Sequence, residues 1–358
     1  MKALYYDGTG GLEWRDDPAP RIEASSDALV RPIAVSTCDL DQAIIHSREP
    51  LPGAERPFAI GHEGVGEVVE VGTAVSSVHP GEIVAIAHHL SCGSCDRCAD
   101  GHPEFCRTTT ADGPAVFGIP IGDDYGGLFS ELVRVPFADY CLLGLPPGVS
   151  AIDAVSVGDN LTDAWRTIVP HLRHRPGADV LIMSTGSAGL YAADVARACG
   201  AGRVCYVDRD DRRLALAERF GAETRTLDAF SPQEHAYEIT LNASGSRTAL
   251  RNALLATAPG GHCANMAFFF REVELPLLAM HLRGVHFCSS VAGARAHMPE
   301  VIQLLSSGRI SPELVATEVL PFDTAADALP TAGFIPVFVR EPAQAPVERR
   351  APLRSGGV

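Results

Sequence analysis

Four cysteines within fifteen residues constrain this chain more than any other feature. Cys92, Cys95, Cys98 and Cys106 follow the pattern C-x2-C-x2-C-x7-C. Two-residue gaps let neighbouring thiols turn inward from a tight loop, and Gly93 and Gly101 supply the turns. Four thiolates close a tetrahedron around Zn2+ and leave no position for water, so such a metal is structural rather than catalytic. An iron–sulfur cluster also takes four cysteines, and a chance grouping in a loop is the third reading. The other six of the ten cysteines are scattered singles. That pattern reads as metal binding in a reducing compartment, not as a disulfide framework.

The chain has 358 residues, enough for about two domains of roughly 100–200 residues. Up to about residue 150 it is rich in glycine, proline and short β-branched runs. Ala28–Val35, Gly64–Val71 and Glu82–Ala87 read as strands joined by tight turns. The pattern changes near Ala151. Val180–Met183 reads as a buried strand, Leu190–Cys199 as a helix, Val204–Val207 as a strand and Asp211–Phe220 as a charged helix. Ile239–Ala243, Cys263–Ala267 and Val285–Ser289 continue the series. Strand–helix alternation of this kind implies a parallel sheet covered on both faces, an α/β fold.

A formal net charge of −15 repels phosphate backbones, which argues against a nucleic-acid partner. No run reaches the roughly 20 apolar residues of a membrane span. The N-terminus MKALYYDGTGGLEW lacks a signal-peptide pattern, so a cytoplasmic location and no membrane partner are expected.

The segment Gly61-His62-Glu63-Gly64-Val65-Gly66, continuing to Gly72 and Val75, gives G-H-E-x2-G-x5-G-x2-V. Alone, His62 reads as an ordinary core histidine. A carboxylate follows it directly, glycines surround it, and Cys38 lies a strand and a loop upstream. Together with the cysteine spacing and the strand–helix series, this pattern resembles the zinc-dependent medium-chain alcohol dehydrogenase family over residues 1 to about 340.

The resemblance implies a β-rich GroES-like catalytic domain over 1–158, carrying the structural zinc lobe. It implies an NAD-binding Rossmann domain, a doubly wound parallel sheet, over 159–292, and a return to the catalytic domain over 293–340. The tail 341–358, rich in Pro, Arg, Ala and Gly, reads as disordered. By the same resemblance Cys38, His62 and Asp159 hold a second, catalytic zinc whose open fourth position takes water or a substrate oxygen. Glu63 is an alternative metal ligand, and Asp41 orients the histidine. Asp159 has a second reading as a helix N-cap.

The turn Ser184-Thr185-Gly186-Ser187-Ala188-Gly189 follows a buried strand and opens a helix at Leu190. It is a degenerate G-x-G-x-x-G fingerprint with Ser184 at the first glycine position. Gly186 permits close approach of a pyrophosphate, Gly189 permits tight packing, and the helix N-terminus faces the phosphates. Asp208 ends the next strand, where a carboxylate holds a ribose 2′-hydroxyl and repels a 2′-phosphate. NAD is therefore expected over NADP. Arg213 resembles the family's basic residue near the adenosine ribose, and a solvated helix face is the other reading of Arg209 and Arg213.

Two departures stand out. Relatives carry a Ser or Thr proton relay where this chain has Leu40, and a histidine where it has Ala43. His46, Glu63, Thr162 or water are the remaining proton carriers. Asp163-Ala164 replaces Thr-Gly beside the nicotinamide. The leading expectation is hydride transfer between NAD(H) and an alcohol or carbonyl. The alternatives are a reductase of C=N or conjugated C=C bonds, and a non-catalytic zinc- and nucleotide-binding protein. The loops Leu51–Phe58, Val116–Tyr125 and Phe268–Phe270 are expected to shape the pocket. A homo-dimer or homo-tetramer is expected by resemblance.

Overall fold

The computed structural model describes residues 1–46, 56–110, 115–121, 125–232, 236–316, 318–332 and 335–340. The tail 341–358 and most of the expected pocket loop Leu51–Phe58 lie outside the described residues, as do residues 122–124 of the loop Val116–Tyr125.

The run Val180–Ser184 is buried at all five positions and lies in the middle of a six-stranded sheet. In sheet order the strands are Glu223–Thr226, Val204–Asp208, Val180–Ser184, Tyr237–Ala243, Thr257–Asn265 and His286–Ser289. All neighbours pair in parallel. The spatial order 3-2-1-4-5-6 is that of a Rossmann sheet, whose ligand crevice opens where the order reverses. Val180 and Ile182 face one core with Tyr206 and Leu241. Leu181 and Met183 face another with Val207 and the Arg247–Ala256 helix residues Ala249, Leu250 and Ala253. That alternation gives the sheet two buried faces, and each fully buried aliphatic side chain contributes about 1.5–3 kcal/mol.

The first part of the chain builds a seven-stranded sheet around Ala28–Ser36 and Glu63–Val71, which pair antiparallel with two register shifts. Ile83–Ile86 and Leu142–Gly144 extend it on one side. The late strands Pro336–Val339 and Glu318–Pro321 add to the other. Before these late strands in sequence, the Ala294–Ser306 helix packs on the Asn160–His174 helix and touches the turn Pro103–Phe105 of the cysteine-rich lobe.

The sequence signals only the start of the Asn160–His174 helix, through the cap reading of Asp159, and not its extent. Its buried positions Leu161, Ala164, Trp165, Ile168 and Leu172 recur at helical spacing. Pro170 interrupts the pattern and masks it, since proline inside a helix is normally a stop signal.

Candidate metal and dinucleotide site

Each proposed ligand sits at the end of an element, where a side chain can turn into the cleft. Cys38 follows the strand Ala28–Ser36 and precedes the helix Asp39–His46. His62 immediately precedes the strand Glu63–Val71, and Asp159 immediately precedes the helix Asn160–His174. One ligand atom from each of Cys38, His62 and Asp159 lies within 4.8 Å of the others, and all three residues are buried. His62 Nε2 is 3.1 Å from Cys38 Sγ and 3.5 Å from Asp159 Oδ2. Asp159 holds the N-cap position, yet its side chain makes no cap hydrogen bond. Its other oxygen lies 3.3 Å from His88 Nδ1.

The donor chemistry fits a divalent soft-to-borderline cation. Burial pushes the Cys38 thiol up to about 12, so it stays protonated unless a cation faces it. Asp159 feels the opposite balance: burial raises its carboxyl, but His88 and His62 hold it well below the usual range. Asp41 Oδ2 accepts the Cys38 N–H at 2.9 Å, and its Oδ1 lies 3.5 Å from His62 Nδ1. One carboxylate therefore touches two of the three converging residues. Glu63 stands apart from the triad. Its carboxylate accepts the Asn160 N–H and the Ser156 hydroxyl, both at 2.9 Å. Burial, then the charge of Asp159, pushes it up to about 8.

The four lobe cysteines also converge, with all Sγ atoms within 4.8 Å of one another. Cys95 Sγ lies 3.6 Å from Cys98 Sγ and 3.9 Å from Cys106 Sγ. A tetrahedron with Zn–S bonds of about 2.3 Å requires edges of about 3.8 Å.

A cavity of about 840 Å³ joins the triad to the parallel sheet. Cys38, His62 and Asp159 line one part, and Thr185 and Ala188 of the expected fingerprint line another. Ser184 Oγ holds that turn, accepting the Gly186 N–H at 3.2 Å and donating to the Gly186 carbonyl at 3.0 Å. A Cβ on Gly189 would lie 2.3 Å from Ser184 Oγ, which explains the glycine there. Ser187 is the buried residue before the Ala188–Ala198 helix, and Leu190 faces the core. Asp208 ends its strand fully buried and is clamped by Arg213, with Nε to Oδ2 and Nη2 to Oδ1 both at 2.7 Å. Arg209 instead reaches the exposed Asp228 at 3.8 Å.

Leu40 and Ala43 do line the cavity. The Thr162 hydroxyl is committed to the Val157 carbonyl at 2.6 Å, and His46 ends its helix exposed. Asp163 is buried and paired with Arg166, whose Nε donates at 2.8 Å. Burial pushes the Asp163 carboxyl up to about 6, although Arg166 opposes the rise. Phe268, Phe269 and Phe270 line the cavity too, and the outer two rings stack at 6.5 Å.

Sequence reasoning missed three cavity residues. His88 and His89 lie edge to face at 3.9 Å beside Asp159, and burial holds both imidazoles below their ordinary range. The adjacent pair after Ile83–Ile86 was the available signal. Asp39, also in the cavity wall, had none.

Comparison with known proteins decides the family. Residues 24–146 match the alcohol dehydrogenase GroES-like domain, and residues 188–307 match the zinc-binding dehydrogenase family. The "probable zinc-binding alcohol dehydrogenase" of Mycobacterium tuberculosis is 30% identical over 339 residues, 93% of this chain and 85% of that protein. This chain belongs to the zinc-dependent medium-chain alcohol dehydrogenase family. The alcohol dehydrogenase TADH from Thermus sp. ATN1 superposes with a TM-score of 0.86 at 27% identity, covering 95% of this chain and 100% of that one. An Escherichia coli alcohol dehydrogenase solved with NADH gives 0.81 at 25% identity, over 95% and 99%. As a family member the chain is a zinc-dependent oxidoreductase acting on a small molecule with a nicotinamide cofactor. No described helix is long and apolar enough to cross a membrane.

Proposed function

We propose that this alcohol dehydrogenase homologue transfers a hydride between NAD(H) and an alcohol or carbonyl at the Cys38–His62–Asp159 site, and that the cysteine lobe holds a second, structural zinc. The reading rests on one observation: the three ligand atoms converge on a cavity that also reaches the Ser184–Gly189 turn. Zinc bound there would polarise the substrate oxygen, and the nicotinamide would exchange a hydride with the adjacent carbon.

The chain's own residues supply the rest. Asp41 orients His62 and supports the Cys38 backbone. Phe268 and Phe269 wall the cavity on its apolar side. His88 and His89 carry the proton that Leu40 and Ala43 cannot, because their ring nitrogens border the same space. The buried Asp208 at the strand end supports NAD over NADP, since a 2′-phosphate there would meet a carboxylate. Gly186, Ser187, Ala188, Gly189, Leu190 and Arg213 complete the dinucleotide site, and Glu63 braces the ligands. Reduction of C=N or conjugated C=C bonds is the second reading, favoured by the apolar Leu40 and Ala43.

Association into a homo-dimer is supported by the sheet edge His286–Ser289 and by the helix Leu277–Arg283 near it. Leu277, Leu278 and Leu282 there are 66%, 73% and 75% exposed, an apolar patch beside an open strand edge.

Metal analysis of the purified chain with an NAD-linked panel of alcohols, aldehydes, imines and enones tests the reading. Two zincs per chain are expected, with turnover of an alcohol or aldehyde that D159A abolishes while one zinc remains. Turnover unaffected by chelation or by D159A would defeat it, and turnover confined to imines or enones would select the second reading.

A further inference from the structure

Asp39 opens the helix Asp39–His46, one residue beyond Cys38. Asp39 is itself exposed, and its carboxylate reaches from the cavity wall to the start of the Ala188–Ala198 helix in the parallel-sheet unit. The Ser187 N–H donates to Oδ1 at 3.3 Å, and the Ala188 N–H reaches the same carboxylate. A Cβ built on Gly186 would lie 2.0 Å from Asp39 Oδ2, 2.2 Å from Cγ and 2.3 Å from Oδ1. The space that Gly186 leaves beside the turn is thus already filled, and an anion of this chain fills it. Arg213 acts on the carboxylate favourably and Asp208 unfavourably.

Backbone N–H groups at the start of a helix, next to a glycine, form a phosphate cradle. A pyrophosphate and the Asp39 carboxylate would claim the same donors and the same volume. We infer that Asp39 is an internal competitor of the cofactor's phosphates, so that a dinucleotide binds only as this carboxylate is expelled from the Gly186 turn. The inference rests on the dinucleotide reading of the preceding subsection.

Two consequences follow from the geometry. The penalty falls on ligands that carry a diphosphate and spares a nucleoside that does not reach the turn. The displaced residue is also covalently joined to Cys38, whose backbone N–H is held by Asp41. The expulsion thus takes place one residue from a proposed metal ligand.

The test is calorimetric titration of the zinc-loaded full chain with NADH, ADP-ribose and adenosine, for wild type, D39A and D39N. Alanine removes both charge and volume, and asparagine removes the charge at constant volume. D39A is expected to bind NADH and ADP-ribose about tenfold or more tightly than wild type, given like charges in a partly desolvated site. D39N is expected to fall between the two, with adenosine unchanged throughout. Zinc content per chain reports whether each variant is intact, and D39N keeps the comparison available if D39A loses metal. Equal or weaker NADH binding by the zinc-replete variants, with wild type binding normally, overturns the role of Asp39. Failure of all three proteins to bind NADH or ADP-ribose overturns the dinucleotide reading itself, and the role of Asp39 with it.

Discussion

On the proposed reading, a methyl group added at Gly118 should empty the Cys38–His62–Asp159 metal site without entering it. Gly118 has φ +60, and its N–H donates to the Gly126 carbonyl at 2.8 Å. A Cβ there would lie 2.3 Å from the Gly61 carbonyl oxygen and 2.5 Å from the Gly61 carbonyl carbon and nitrogen. Those are backbone atoms, and the oxygen is pinned from another side by the Leu128 N–H at 2.8 Å. An ordinary contact begins at about 3.4 Å, so the two segments must part by about 1 Å. Gly61 is bonded to His62, which inherits the displacement. Metal–ligand distances tolerate only about 0.2 Å, and a 1 Å misplacement can cost on the order of a hundredfold in rate. The left-handed conformation adds a stability loss of about 1–2 kcal/mol for alanine.

G118A is therefore expected to lower the metal content from two towards one per chain after dialysis against a weak chelator. Turnover should fall on the order of a hundredfold. G81A is the control, because Gly81 has φ +89 with nothing within 4 Å of its Cβ position. It also carries a positive-φ penalty, without a collision. If G118A and G81A retain the same metal and the same activity, the argument that Gly118 spaces His62 is wrong.

Two further outcomes can be measured independently of substrate. His171 stacks on His262 at 4.0 Å, and His262 on His286 at 4.9 Å; burial, then the charge of His262, lowers the His171 imidazole to about 4. The unfolded chain binds that proton first, near pH 6.5, so the stabilising contribution is complete above about 6.5 and is lost as pH falls towards 4. H171Q should flatten the fall in melting temperature between pH 6.5 and 4.5, and parallel curves for the two proteins would contradict the stacking argument. At the exposed helix, the double substitution L278D/L282D should convert a dimer to a monomer by light scattering, whereas a monomeric wild type or an unchanged mass would remove the proposed interface.

The sequence disclosed local chemistry well and long-range placement poorly. The four lobe cysteines are readable because their spacing alone brings the thiols together. Val180–Ser184 is readable because an unbroken apolar run between turns suits a strand buried on both faces. Asp159 had two readings, cap or ligand, because the direction of its side chain depends on where His62 and His88 stand across the cleft. Asp39 gave no sign at all: its carboxylate meets Gly186 only after two separate units fold and face each other. The Asn160–His174 helix was obscured by Pro170, whose local signal competes with a clear helical stripe. The Leu40 and Ala43 departures were visible; the adjacent His88 and His89 were visible as a pair, but their place in the same cavity was not, since it depends on how distant segments meet.

The grip of Glu63 on the start of the Asn160–His174 helix bears on how the site meets its ion. His62 and Glu63 are consecutive, and the two groups held by Glu63, the Ser156 hydroxyl and the Asn160 amide, belong to residues on either side of Asp159 in sequence. The gap between imidazole and carboxylate is thereby gauged by a buried strut. The fit of the Cys38–His62–Asp159 cluster to an ion therefore depends on a carboxyl group that need not touch the ion itself.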